Sequence, residues 1–181
     1  MNRCAAMALS LLIAGCASVA RGPAPPEASA QARHFSGKLS VQVAATSEQA
    51  RQGGSANFDL QGEAARGQLE LSSPLGSLQA RARWTEHEAV LTLPKNEQRF
   101  DDLDHLSEAM LGEAIPVAAL FDWLQGRPWP QAPAQMLDAG ATGFEQIGWR
   151  VDLSRFPEGL ILAKRLAEPV VTLRIRLEQA P

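Results

Sequence analysis

The chain has 181 residues, with 17 Lys and Arg against 20 Asp and Glu and a formal net charge of −3. That length holds about one domain, and the mixed, near-neutral charge, with no basic stripe and no aromatic platform, excludes a nucleic-acid binder. Its 2 cysteines, Cys4 and Cys16, exclude a disulfide framework.

The N-terminus, MNRCAAMALSLLIAGCAS, carries one cation, Arg3, and an apolar stretch from Ala5 to Ala14. The stretch is too short to span a bilayer as a helix, and residues 1–15 have the layout of a secretory signal peptide that is removed. Ile13-Ala14-Gly15-Cys16 resembles a bacterial lipobox, in which the cysteine is acylated and becomes the first mature residue. An ordinary signal peptide with a chance cysteine is the alternative. Cys4 lies in the discarded segment, so Cys16 is left unpaired in an oxidising compartment, and an acyl anchor gives it a role. Residue Ala17 follows, where aspartate would retain a proteobacterial lipoprotein in the inner membrane, so the outer membrane is expected. Residues 16–32 then form the lipidated cysteine and a tether rich in Ala, Pro, Gly and Ser. Residues 33–178 form a single domain.

Alternation dominates that domain. Phe35, Leu39, Val41 and Val43 share one parity, as do Ala56, Phe58 and Leu60, and then Leu69 and Leu71. Residues 72–77, SSPLGS, read as a hairpin tip: Pro74 suits the second position of a β-turn and Gly76 the fourth, which leaves Leu75 third. A large apolar side chain at a hairpin tip either folds back onto the core, stands exposed without consequence, or touches something apolar outside the protein. Leu78, Ala80, Ala82 and Trp84 alternate after the turn, followed by Ala89, Leu91 and Leu93.

From Asp101 to Gly126 the period becomes helical, with Leu103, Leu106, Met110 and Leu111 in a first helix and Val117, Leu120, Phe121 and Leu124 in a second. Asp101 or Asp102 caps the first and Gly112 ends it; Pro116 suits the first turn of the second and Gly126 its C-terminal cap. Strands resume at Trp149, Val151 and Leu153, near Leu160 to Lys164, and at Val171, Leu173, Ile175 and Leu177. The fold class is therefore mainly β, of α+β type, with two amphipathic helices against the apolar face of an antiparallel sheet. This pattern fits a filled core or a curved sheet with the helices as a lid over a cavity.

Catalytic chemistry is not visible. His34, His87 and His105 sit in unrelated contexts without metal-ligand spacing, and GxSxG, Walker and GxGxxG motifs are missing. Asp101, Asp102 and Asp104 read as helix N-terminal carboxylates. No enzyme, metal or cofactor is expected beyond lipid on Cys16.

The lipobox, Ser73-Pro74-Leu75-Gly76-Ser77, and above all the run from Gly112 through Pro116, Leu120, Trp123-Leu124 and Gly126 to Pro128 resemble the LolB family of outer-membrane lipoprotein receptors. The resemblance spans the mature chain. Leu60 stands where members often carry an aromatic residue and Phe100 where tyrosine is common, and both keep the site apolar. The resemblance implies an incomplete antiparallel β-barrel enclosing an apolar cavity covered by short helices. Such a protein, with a diacylglycerol and an N-acyl group on Cys16, receives the acyl chains of lipoprotein cargo from a soluble periplasmic carrier of the LolA type. It places them in the inner leaflet of the outer membrane, as a monomer. Leu75, positioned by Pro74 and Gly76, maps onto the family's exposed leucine concerned with membrane insertion. Phe58, Leu60, Trp84, Leu91, Leu120, Trp123 and Trp149 are the expected cavity or lid residues. The rival readings are a lipoprotein that binds lipid or an envelope protein without transferring cargo, and a lipid hydrolase.

Overall fold

The alternating segments become strands, and the strands one sheet. The structure, a computed structural model, describes residues 33–47, 50–138 and 140–178, so the signal segment, Cys16 and the tether lie outside the described residues. In chain order the elements are β1 (Arg33–Val43), β2 (Gln52–Glu63), β3 (Arg66–Ser72), β4 (Leu78–Trp84), β5 (Ala89–Leu93), β6 (Asn96–Phe100), α1 (Leu103–Leu111) and α2 (Val117–Trp123). They continue with β7 (Ala134–Met136), β8 (Gly143–Gln146), β9 (Trp149–Asp152), β10 (Leu160–Arg165) and β11 (Val171–Leu177). The 11 strands form one sheet in the order β6-β5-β4-β3-β2-β1-β11-β10-β9-β8-β7. Every pairing is antiparallel. The edge strands β6 and β7 do not pair with each other, so the curved sheet is an open barrel, as the α+β pattern and the family resemblance anticipate.

Register decides what faces inward. Leu39 lies opposite Ala56 on one side and Ile175 on the other, and Ile175 opposite Ile161, so one face gathers a continuous apolar row. Lys38, Ser40, Arg174 and Arg176 take the other face. The connections β1–β2, β3–β4, β5–β6, β8–β9 and β10–β11 all fall at one end of the strands, the tip end. Arg33 and the turns at residues 64–65, 85–88 and 153–159 fall at the opposite, root end.

Three strands escape the alternation rule. In β6 only Phe100 is partly buried, and its charged and amide side chains discourage pairing with another chain, while β7 is exposed throughout and only three residues long. In β8 the pattern is hidden because one of its inward residues is Gln146.

The helices fill the concavity unequally. Asp102 caps α1 through the backbone N–H of His105 and Gly112 ends it in the left-handed region, with φ 81°. On α1 only Leu106 and Ser107 are fully buried. On α2, every residue except Ala118 is buried, so it is a plug inside the barrel. It ends earlier than expected: Leu124 caps it, and Gly126 closes the following turn by donating to Trp123 O at 2.9 Å. Gly126 has φ 72°, and a Cβ there would come within 2.6 Å of the Phe156 ring, so the position takes only glycine.

Two buried polar side chains fix the C-terminal half of this plug. The Asp122 carboxylate accepts from Arg33 at 3.2 Å and from Arg127 Nε at 2.9 Å, while Arg33 also donates to Phe121 O and lies over its ring. Gln146 Oε1 accepts from Trp123 Nε1 at 3.0 Å and from the Trp129 N–H at 2.9 Å; its Nε2 donates to Trp129 O and Ala132 O, both at 2.8 Å. Every hydrogen-bonding capacity of that amide N–H pair is used in a buried site.

Gln146→Ala removes all of these partners at once and strands the indole N–H and two carbonyls, so it should destabilise the domain by about 3 kcal/mol in urea unfolding. Gln146→Glu keeps both acceptor contacts but sets a carboxylate against two carbonyls, and should cost at least as much.

Candidate functional site

The inner face of the sheet and the helices enclose a wholly apolar void of about 20 Å³, walled by Phe58, Leu60, Leu69, Leu120, Leu173 and Leu111 among others. That volume suits about one water and no acyl chain. Beside it an open hollow of about 160 Å³ is lined by Leu39, Val41, Ala56, Leu71, Gln79, Met110 and Leu111. Leu39 and Leu111 line both spaces, so the last residue of α1 forms part of the partition between solvent and interior. A further groove of about 380 Å³ lies on the outer sheet face among Lys38, Leu160, Leu162, Arg174 and Arg176, away from the helices.

The partition belongs to a unit held differently from α2. Ser107 Oγ donates to Asp104 O at 2.9 Å and accepts the Ile115 N–H at 2.8 Å, folding the 112–115 linker back onto α1. The linker carries Glu113, whose carboxylate meets Arg165 Nη2 of β10 at 2.8 Å. Both side chains are largely shielded, 14% and 19% exposed, so the pair is screened little by solvent and removing one partner leaves a poorly solvated charge. The Arg165 guanidinium also donates twice to Pro169 O. One ion pair thus ties the α1 unit to the far wall, whereas Asp122 and Gln146 anchor α2 through several buried hydrogen bonds.

At the other end of α1, the Asp102 carboxylate is held below its ordinary value, chiefly by the His105 backbone N–H and then by the His105 ring. The ring in turn is raised above its ordinary value by its hydrogen bond to Asp102 and then by the charge there.

The structure distributes the sequence-derived residues as follows. Phe58, Leu60 and Leu120 wall the void. Trp84, Leu91, Trp123 and Trp149 are buried beside it in the packed core, Trp84 edge-on to Phe121 at 6.1 Å and Trp123 between Phe144 and Trp149 at 6.3 and 6.2 Å. Leu75 stands 95% exposed at the tip. The turn beneath it closes through the Gly76 N–H to Ser73 O at 2.9 Å, with Pro74 and Leu75 as its central residues and Gly76 at φ 84°. Leu71 and Gln79, which line the open hollow, flank this same hairpin. Cys16 lies outside the described residues. Sequence reasoning missed Gln146, Asp122, Glu113 and Arg165, because nothing in a linear pattern marks a polar residue that will be buried against a partner far along the chain. No group of three or more His, Cys, Asp or Glu is placed to hold a metal, and no helix is long and apolar enough to cross a membrane, among the described residues.

The family model for outer membrane lipoprotein LolB matches residues 31–179. The chain belongs to the LolB family. Among curated relatives named outer-membrane lipoprotein LolB, that of Bordetella petrii is 37% identical over 180 residues, covering 95% of this chain and 88% of its own. That of Cupriavidus pinatubonensis is 38% identical over 162 residues, covering 83% and 77%. That of Ralstonia nicotianae is 34% identical over 148 residues, covering 77% and 70%. As a LolB family member the chain is an outer-membrane lipoprotein.

Glu113→Gln should release the latch while leaving α2 and the sheet in place. Amide exchange over residues 103–113 should speed up by the equivalent of about 1–2 kcal/mol, and an apolar fluorescent probe should enter faster, with protection of β1 and β11 unchanged. The α1 cap should also respond to pH. A raised His105 contributes fully below its unfolded value and loses that contribution as pH rises through its folded value, whereas a lowered Asp102 contributes above its unfolded value and loses it as pH falls through its folded value. The first turn of α1, followed by carbon chemical shifts, should therefore be best ordered at mildly acidic pH and loosen towards alkaline pH. His105→Ala should remove the alkaline limb.

Proposed function

We propose that residues 33–178 form an acyl-chain transfer domain, tethered through lipidated Cys16, which accepts lipoproteins from a soluble periplasmic carrier of the LolA type and inserts them into the inner leaflet of the outer membrane. The observation that carries this reading, beside family membership, is the wholly apolar void closed by a separately latched helical unit. The void as it stands is too small for cargo, so loading requires the α1 unit to swing away and expose Phe58, Leu60, Leu120 and the neighbouring leucines.

Energetics constrain the route. Three acyl chains of about 14 buried CH₂ each, at about 0.8 kcal/mol per CH₂, amount to roughly 30 kcal/mol against water. Cargo therefore passes from one apolar surface to another without crossing solvent. The open hollow lies on the far side of Leu39 and Leu111 from the void and borders strands β3 and β4, whose hairpin ends in Leu75, so displacing Leu111 would join the two into a passage. A leucine at this tip is able to enter the bilayer interface and bring the passage against lipid. The direction of transfer rests on differences in affinity along the route, and the residues named do no bond-making chemistry.

Leu75→Glu tests the delivery step. The side chain is nearly fully exposed and the turn is held by Pro74 and Gly76, so the unfolding free energy should stay within about 0.5 kcal/mol of the parent. The variant should take lipoprotein from a loaded carrier at the parent rate and pass it to liposomes at least about tenfold more slowly, because an acidic group is costly to place in the interface. Normal delivery would leave Leu75 without this role. An unfolded variant would make it a structural residue.

A further inference from the structure

Five large apolar side chains are exposed among the described residues: Leu75, Leu78, Met136, Ile147 and Leu166. Leu75 and Leu78 belong to the delivery hairpin. Ile147 and Leu166 belong to the β8–β9 and β10–β11 connections, which lie at the same tip end, and the Leu166 N–H donates to Gly148 O at 2.9 Å, joining the two connections.

Ile147 is also in the wrong conformation for its type. Gln146 pairs with Trp149, so Ile147-Gly148 is a two-residue hairpin loop, with φ 45° at Ile147 and 78° at Gly148. These are type I′ values, which favour Asn or Asp followed by Gly. A β-branched residue in the left-handed region is strained, and Ile147 is the one described non-glycine residue with positive φ. The fold holds an isoleucine 43% exposed at a position where asparagine would sit more easily.

We propose that Ile147 and Leu166 form a second membrane foot, which enters the bilayer interface together with Leu75. This rests on the delivery reading above and adds to it a second point of contact. From the β3–β4 hairpin to the β10–β11 hairpin is four strand spacings, about 19 Å along the curved sheet. Two separated apolar points suit a lipid surface, which needs no matching contour, better than a protein partner, which covers a continuous patch of about 800 Å². Lys95, in the β5–β6 turn at the same end, has no ion pair among the described residues and suits anionic headgroups. Two feet limit the barrel to rocking about the line between them, where one would leave it free to tilt in every direction. The second foot also adjoins the latch: Arg165, which holds Glu113, immediately precedes Leu166 and is bound to Pro169 O in the same loop.

The test uses the mature lipidated chain reconstituted into vesicles of phosphatidylethanolamine and phosphatidylglycerol. An environment-sensitive fluorophore is placed on a cysteine introduced at Leu166, at Leu75, or at Glu86 on the root end, and brominated lipid serves as quencher. Quenching at 166 and 75 and not at 86 is the expected result. Quenching at 75 without 166 overturns the second foot and leaves the role of Leu75 standing, whereas quenching at neither overturns the delivery reading itself. Shielding of 166 by the carrier protein in place of lipid makes this face a protein-docking surface and overturns the proposal. As a second measurement, Ile147→Asn should hold or raise the thermal midpoint, because it relieves the turn, and yet slow delivery to vesicles roughly three- to tenfold. Delivery at the parent rate overturns the proposal.

Discussion

The side chain of Gln146 divides the helical segment into a part that stays and a part that can move. By holding Trp123, Trp129 and Ala132 together it pins the end of α2 and the chain beyond it to β8, and Asp122 ties the same helix to the start of β1. With α2 fixed, the interior retains a solid floor of aromatic packing whatever happens above it. Only then is a removable cover affordable. The α1 unit buries Leu106, Ser107 and, through its linker, Ile115, and one ion pair ties it to β10; in the proposed loading step its departure would uncover the leucines beneath it.

A receptor for acyl chains faces opposite demands when empty and when loaded. Empty, an apolar chamber wide enough for cargo would be an exposed hydrophobic surface in an aqueous compartment, open to aggregation. Here the helices fill the concavity until about 20 Å³ is left, so the protein presents a nearly filled core. In the proposed loading step, the helices' own apolar contacts would be the competitor that incoming acyl chains displace. A deeper, better-packed cover would then bind cargo more weakly, so under this reading the seating of α1 would bear on affinity as well as access.

Much of this was legible in the residues. The alternation of Val171, Leu173 and Ile175 or of Leu39, Val41 and Val43 follows from a sheet with one buried face, and SPLG states its own turn. What alternation could not convey is whether the enclosed space is full, because a leucine wall looks the same around a chamber and in a core; the structure shows it almost full. Phe58 and Leu60 wall the space while Trp84 and Trp149 pack beside it, a distinction of position that residue type does not carry. The edge strands β6 and β7 were silent for want of a buried face. Ile147 was silent because its turn lacks the Asn-Gly signature, and Gln146 because its partners lie on other segments of the chain.

The positions of Arg33 and Leu75 at opposite ends of the barrel set a length requirement on the segment before Arg33. With Cys16 as the proposed anchor, residues 17–32 supply 16 links, a reach of at most about 55 Å. β1, at 11 residues, is itself about 35 Å long, and the segment must return past the whole of it for the tip end to face the bilayer that holds the anchor. With that anchor the surplus would be about 20 Å, enough for the tip end to face the bilayer. The same length would cap how far the domain could swing from its anchor, so one covalent leash would serve both reach and retention.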